Sequence, residues 1–447
     1  MNPLAEHFPP LTQQEALVEA NRCLYCYNAP CTQVCPTHID IPRFIKKIAT
    51  DNLTGSAHTI FEANLLGATC ARVCPVQELC EGACVLGEDH KPIMIGRLQR
   101  YVMDHAYRNG GVPPPRAGSN GSLSAAGCQA RTPTVLLRRG RVAVVGSGPA
   151  GLSCAGELAL RGHSVTVFEK RELPGGLSTY GIISLREPME AALAEVRMIE
   201  SLGVRIESGR ELGVHFTLSD LQREFDAVFL GFGLGATQAM DIPGEELIED
   251  GLDYIERSKR EGASMQVGRN VLVIGAGNTA IDCATIARRL GADRVTIIYR
   301  RSPGEMTAYP HEFEFVKKEG VEFRFLTQPV RVLAEDRRVR GLACIRMELG
   351  PPHGDGRLIP RPAGGEEFII AGDQIVKGVG QEKPPLAGTL GLAKVRGYVK
   401  VSEEFETNLP GVFAGGDCVR AKAPASTVMA VQDGKLAAAA IHRRLAR

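Results

Sequence analysis

Two stretches of this chain each spell a β-strand, a glycine-rich turn, a helix and a second strand, and few folds are open to a chain holding both. The first runs from Arg141 to Lys170, RVAVVGSGPAGLSCAGELALRGHSVTVFEK. Its β-branched run, Val142 to Val145, meets glycines at 146, 148 and 151; a helical segment follows to about Arg161, and a second apolar strand ends at Glu169. Gly146 makes the tight turn, Gly148 lets backbone approach a pyrophosphate, and Gly151 lets the helix pack on the strand. The helix N-terminus then faces phosphates, and Glu169 is placed to accept from ribose hydroxyls. The second stretch, Arg269 to Arg301, is RNVLVIGAGNTAIDCATIARRLGADRVTIIYRR. It turns at Gly275 and Gly277, has Ala280 at the third small position, and ends on Tyr299, Arg300 and Arg301 in place of an acid. Guanidinium groups there favour a 2′-phosphate, and so NADPH over NADH, unless both simply cap the strand and face water.

Past Lys170, PGGLSTYGI adds Gly175 and Gly176, consistent with backbone passing close to a flavin ring system. Val204 to Ile206 and Asp226 to Leu230 read as further strands, and near residue 238 the pattern changes. The end of the chain returns to the first nucleotide. NLPGVFAGGDCVR offers a short strand (Gly411 to Ala414), a turn at Gly415 and Gly416, and Asp417 placed to bond a ribityl or phosphate group. A last helix, Ser426 to Leu445, carries Gly434 and Ala437 to Ala440, small enough for close packing. The expected fold is α/β, with two Rossmann-like nucleotide-binding domains. A nicotinamide domain, 238–383, is inserted between the halves of a flavin domain, 141–237 and 384–447.

Of 13 cysteines, eight fall between Cys23 and Cys84. RCLYCYNAPCTQVCP places Cys23, Cys26, Cys31 and Cys35 ahead of Pro36, close to the ferredoxin run in which the Cys before Pro serves the other cluster of a pair. CARVCPVQELCEGAC adds Cys70, Cys74, Cys80 and Cys84. Eight thiols equal the ligand count of two [4Fe–4S] clusters; the alternative is a pair of structural Zn sites. A helix from Thr12 to about Asn21, another started by Asp40 and Pro42 with Phe44, Ile45 and Ile48 on one face, and a third from Ile95 to about Arg108 make 1–110 a helical domain. Cys128, Cys154, Cys283 and Cys344 are isolated and read as core or surface residues. Residues 111–140 turn to proline, glycine, serine and alanine and read as a linker.

Lys plus Arg (52) nearly cancels Asp plus Glu (51), so no global field points to nucleic acid or an anionic membrane, and neither is an expected partner. The start, MNPLAEHFPP, lacks the charged and apolar regions of a signal peptide, and no apolar run reaches spanning length, so a cytoplasmic protein is expected. Disulfides are disfavoured in that compartment, which favours metal or cluster ligation for the clustered thiols. A stand-alone disulfide reductase would need a paired dithiol beside the flavin, and neither Cys154 nor Cys283 has a near partner in sequence.

The motifs NRCLYC, APCTQVCP, ARVCP, IGRLQR, GSGPAGLSCA, GAGNTAIDCA and VFAGGD make the chain resemble a family of FAD- and NAD(P)H-binding iron–sulfur proteins. That family contains glutamate synthase small subunits and dihydropyrimidine dehydrogenases. Within it the chain is most similar to the flavin subunits of bacterial NAD-dependent dihydropyrimidine dehydrogenases. The resemblance covers nearly the whole chain apart from the linker.

The resemblance implies one cluster on Cys23, Cys26, Cys31 and Cys84, and a second on Cys35, Cys74, Cys80 and Gln99, whereas simple counting would use Cys70 for the last place. It implies FAD contacts from Val73, Gly148, Pro149, Ala150, Gly151, Leu152, Glu169, Lys170, Gly176, Leu177, Arg186, Leu212, Asp417 and Thr427. For the nicotinamide coenzyme it implies Asn278, Thr279, Ala280, Arg300, Arg301, Gly378, Val379 and Gly380, beside the turn glycines 275 and 277. The animal-type NADPH enzyme has a further arginine where this chain has Thr307, so NADH and NADPH both stay open. That enzyme also continues into an FMN barrel, whereas this sequence stops at Arg447; a separate FMN and iron–sulfur catalytic subunit is the expected partner, with a glutamate synthase large subunit as the alternative. No catalytic acid or base is assigned, because hydride transfer to a flavin needs none.

Overall fold

The computed structural model describes residues 2–111, 140–352, 358–420 and 425–446; the expected linker and Cys128 lie outside them, apart from the linker's two end residues. The chain divides into two compact units. One comprises Pro9–Thr179, Glu190–Gly233 and Pro384–Arg447; the other comprises the segment ending at Phe8, Tyr180–Met189 and Leu234–Lys383.

The first unit begins with six α-helices: Gln13–Asn21, Pro30–Val34, Ile41–Ala49, Leu53–Ala63, Gly67–Val73 and Ile95–Arg108. Their starts are written locally. Thr12 and Glu15 form a reciprocal capping box, Asp40 accepts from the Arg43 N–H, and Pro42 fills a first-turn position where its missing N–H costs nothing. Phe44, Ile45 and Ile48 are buried, as their spacing on one helix face requires.

A parallel five-stranded sheet follows, in the spatial order Val412–Ala414, Ala227–Leu230, Arg141–Val145, Ser164–Glu169, Arg205–Ser208. Its middle strand is buried from Val142 to Val145, the continuous apolar run of a sheet covered on both faces. The helices Pro149–Leu160 and Thr427–Leu445 pack together so closely that a Cβ on Gly434 would run into the carbonyl oxygen of Ala150. The cysteine-bearing helices do not form a separate core: Phe61, Leu65, Leu98 and Met103 belong to the same buried cluster as Leu152, Leu158 and Val431.

The second unit repeats the sheet plan, in the order Glu249–Asp250, Gln374–Lys377, Asn270–Ile274, Arg294–Ile298, Glu322–Arg324, again parallel. In both sheets the strand that feeds the glycine turn is central. The unit also carries an antiparallel sheet built on the long strand Arg338–Pro352, paired with Thr327–Glu335, Leu358–Pro362 and Phe368–Ala371. Two distant segments join this core: Leu4 packs with Ile183 and Leu185, the His7 N–H donates to the Leu185 carbonyl at 2.8 Å, and the Lys259 ammonium donates to the Ile182 and Glu187 carbonyls. Among the described residues no helix is long and apolar enough to cross a membrane.

Candidate cofactor sites

In the first unit Gly146 turns at φ +94°, and a Cβ there would stand 2.6 Å from the Gly231 carbonyl oxygen. A Cβ on Gly151 would run into the Gly146 carbonyl. Gly148, the N-cap of helix Pro149–Leu160, has nothing within 4 Å of its Cβ position, so there is open space in front of the helix N-terminus. Gly176, at φ +59°, lies against Gly148, with its Cβ position 2.7 Å from the Gly148 Cα. Open space before a positive helix end suits the phosphates of a dinucleotide.

Glu169 organises that turn. Its Oε2 accepts from the Ser147 N–H (2.9 Å) and hydroxyl (2.5 Å), its Oε1 from the Arg171 N–H (2.9 Å), and the Ser147 hydroxyl in turn accepts from Gly175 N–H (2.9 Å). Asp417 follows Gly416, whose N–H is held by Asp433 at 3.0 Å; Asp433 pairs with Arg420 at 2.5 Å. Burial pushes the Asp417 carboxyl up to about 6, with Arg420 opposing and Asp433 adding to the rise. Thr427 opens the last helix behind the Ser426 cap; Ala150, Leu152 and Leu212 are buried, Leu177 and Lys170 are exposed, and Val73 ends the helix Gly67–Val73. Arg186 belongs to the other unit, where it pairs with both oxygens of Asp282 and, at 2.5 Å, with Glu312. Burial pushes the Asp282 carboxyl up to about 7 against the pull of Arg186.

The second unit repeats the turn. Gly275 sits at φ +121°, where a Cβ would run into the Gly378 carbonyl, and Gly277 caps helix Asn278–Arg289. A Cβ on Gly378 would stand 2.8 Å from the Ala280 N, while the Cβ position of Gly380 faces open space. Asn278 accepts from the Tyr309 N–H at 3.2 Å, Thr279 follows it in the first helical turn, and Ala280 is buried. Val379 packs on the core between the parallel and antiparallel sheets. Of the two arginines, Arg300 is exposed and Arg301 donates to the Leu358 carbonyl at 3.2 Å.

The clustered thiols stand around two cavities in the first unit. One is lined by Cys23, Cys26, Cys31 and Cys84; the other by Cys35, Cys70, Cys74, Cys80 and Gln99. Ile41 lines both, and Val428, the neighbour of Thr427, lines the second. Both rivals for the eighth place therefore share one cavity. The Gln99 amide nitrogen donates to the Gly67 carbonyl at 2.7 Å, leaving its oxygen as the group on offer.

All the described cysteines are free, and among the described residues no three His, Cys, Asp or Glu side chains are placed to hold a single metal ion. Four thiols around one cavity, and thiols with the Gln99 oxygen around the other, are the donor chemistry that iron–sulfur clusters take. Burial pushes the Cys31 thiol up to about 11, and the Cys70 hydrogen bond with burial holds the Cys74 thiol well above its ordinary value. Thiolates at such sites need a cationic centre beside them, which iron supplies.

Two features lay beyond sequence reasoning. Glu195, on helix Met189–Ser201, accepts from the Ala68 (2.7 Å) and Thr69 (3.1 Å) N–H groups and so caps the helix that carries Cys70. No local pattern announces a cap from so far along the chain. Ser147 was signalled only as the variable residue between two turn glycines.

Residues 1–111 match the family described as dihydropyrimidine dehydrogenase domain II, 4Fe-4S cluster, and residues 140–434 match pyridine nucleotide-disulphide oxidoreductase. The chain is 37% identical over 429 residues to the NADP(+)-dependent formate dehydrogenase subunit beta of Moorella thermoacetica, covering 94% of this chain but only 60% of that protein's length. It is 34% identical over 444 residues to the NAD-dependent dihydropyrimidine dehydrogenase subunit PreT of Escherichia coli K12, covering 99% of this chain and 98% of that protein. Among solved structures, Mycobacterium tuberculosis FprA in complex with NADPH aligns with a TM-score of 0.56 at 20% identity, over 69% of this chain and 85% of that one, a likeness of fold.

Proposed function

We propose, for a chain that belongs to the pyridine nucleotide-disulphide oxidoreductase family and has a 4Fe-4S domain of the dihydropyrimidine dehydrogenase type ahead of that fold, that it is an NAD(P)H-oxidising electron-input subunit serving a partner with the substrate-reducing site. The observation that carries this reading is continuity within the first unit. Val428, which follows Thr427 in the last helix and shares a core with Ala150 and Leu152, lines the cavity of Cys35, Cys74 and Cys80, and Ile41 is a wall common to that cavity and the cavity of Cys23, Cys26, Cys31 and Cys84.

When bound, FAD accepts hydride from the nicotinamide and [4Fe–4S] clusters relay electrons one at a time, chemistry that belongs to the cofactors. The chain's own residues bind and orient. Gly146, Gly148, Gly151 and Gly176 open the phosphate basin, Glu169 keeps its turn rigid, and Asp417 supplies a buried carboxyl at the second flavin segment. Gly275, Gly277 and Gly378 shape the nicotinamide-nucleotide turn, with Arg300 and Arg301 at the strand end where a 2′-phosphate would sit. Cys23, Cys26, Cys31 and Cys84 hold one cluster; Cys35, Cys74, Cys80 and Gln99 hold the other.

The partner is an FMN and iron–sulfur subunit that reduces pyrimidines. In support, the likeness to the dihydropyrimidine dehydrogenase subunit runs over 98% of that protein, and the likeness to the formate dehydrogenase subunit over 60% of that one. Anaerobic affinity purification from the native cell, with mass spectrometry of any chain recovered in equal amount, tests the assignment. A barrel-sized FMN and iron–sulfur protein supports it; a large amidotransferase replaces it with a glutamate synthase.

A further inference from the structure

Asn64 follows helix Leu53–Ala63 as its C-cap and is 1% exposed. Its Oδ1 accepts from the Leu66 N–H at 2.9 Å, while its Nδ2 is buried and has no hydrogen-bond partner. The orientation of the amide is fixed chemically, because a flip would set NH₂ against the Leu66 N–H, donor against donor. A buried donor left unmade costs about 1–3 kcal/mol, and native proteins rarely carry one without a reason.

The reason is in the lining. Asn64 lines the same cavity as Cys35, Cys70, Cys74, Cys80 and Gln99. The two amides there are complementary: Gln99 has spent its nitrogen on Gly67 and keeps an oxygen, whereas Asn64 has spent its oxygen on Leu66 and keeps an N–H. Thiolate sulfur and cluster sulfide are acceptors without donors.

We propose that Asn64 Nδ2–H donates to a sulfur of the cluster held in this cavity and raises that cluster's reduction potential. An N–H···S bond strengthens as the cluster gains an electron, so the donor favours the reduced form. Asn64 is thus a positioning residue for the cavity that abuts the flavin half, easing the acceptance of one electron there. The proposal rests on the reading of this cavity as a cluster site.

The test uses the full chain, purified anaerobically with its cofactors, as wild type, Asn64→Leu and Asn64→Asp. Asn64→Leu removes the donor without adding charge; Asn64→Asp removes it and keeps the acceptor for Leu66, guarding against a folding failure. Both clusters are titrated potentiometrically with dithionite and followed by EPR. In both variants one cluster is expected to become roughly tenfold harder to reduce, a fall of about 60 mV for one electron, while the other stays put. Wild type should also show an exchangeable proton coupled to that cluster by ENDOR, lost in the variants.

Unmoved potentials at full cluster content overturn the proposal, as does a fall confined to Asn64→Asp, which reports charge alone. Loss of the cluster from both variants would make Asn64 a structural support and overturn the tuning role. The underlying reading fails separately: if Cys74→Ser leaves both wild-type EPR signals intact, the cavity holds no cluster and the proposal falls with it.

Discussion

Glu169 and Ser147 meet twice, the carboxylate accepting both the backbone N–H (2.9 Å) and the hydroxyl (2.5 Å) of the residue between the first two turn glycines. The bond ties the end of one strand to the loop leaving its neighbour, and through the Ser147 hydroxyl to Gly175. Glu169→Ala removes the acceptor of three hydrogen bonds at this turn. Bonds to a charged acceptor contribute about 1.5–3 kcal/mol, so FAD affinity is expected to fall at least tenfold, read as the flavin-to-protein absorbance ratio after dialysis.

The glycines of this turn separate folding from binding. Gly151→Ala places a methyl group in the Gly146 carbonyl, a backbone clash that no rotamer relieves, and should sharply lower the melting temperature along with flavin content. Gly148→Ala meets no protein atom within 4 Å. It should melt near wild type yet hold little FAD, because its methyl group occupies the phosphate basin. Differential scanning calorimetry beside flavin content checks both; equal flavin binding by Gly148→Ala would move the pyrophosphate elsewhere.

Much of this was legible in the residues, for a physical reason: strands buried on both faces, glycine turns and helix caps are short-range features. Thr12, Asp40 and Pro42 mark helix starts that the structure shows, and the isolated thiols Cys154, Cys283 and Cys344 are buried core residues. What could not be read was long-range. Nothing near Arg186 announces Asp282 and Glu312 as its partners, and nothing near Glu195 announces the helix it caps. The antiparallel sheet around Arg338–Pro352 was also missed, because its strands mix exposed and buried positions without clean alternation.

The eighth cluster ligand is open to a direct comparison. Gln99 and Cys70 line one cavity, and the hydrogen bond to Gly67 already orients the Gln99 amide. Gln99→Ala is expected to alter or abolish one cluster's EPR signal, with Cys70→Ala leaving both signals in place. The reverse pattern would assign the ligand to Cys70.

The first unit carries a pH-sensitive pair. The Gly140 N–H donates to His163 Nδ1 at 3.2 Å, so His163 Nε2 carries the proton and donates to His442 Nδ1 at 2.8 Å. Burial, with Arg161 nearby, holds both imidazoles below the usual 6.5. Unfolded histidines thus bind protons that the folded pair refuses, and stability rises with pH across the window between the folded values and 6.5. The contribution is complete above pH 6.5 and is lost as pH falls through the lowered values. The melting temperature should drop on going from pH 7.5 to 5.5, and the drop should shrink in His163→Asn/His442→Asn.

Electrons from a nicotinamide nucleotide are expected to enter the flavin and pass onward to the chain's own clusters. An anaerobic titration of the purified chain with NADH, and separately NADPH, recording flavin absorbance and low-temperature EPR together, reads this transfer. With at least one nucleotide, the flavin should bleach and iron–sulfur signals grow in, with no partner protein present. A flavin that bleaches while no cluster signal appears even with dithionite, or one that neither nucleotide bleaches, would rule out this electron path.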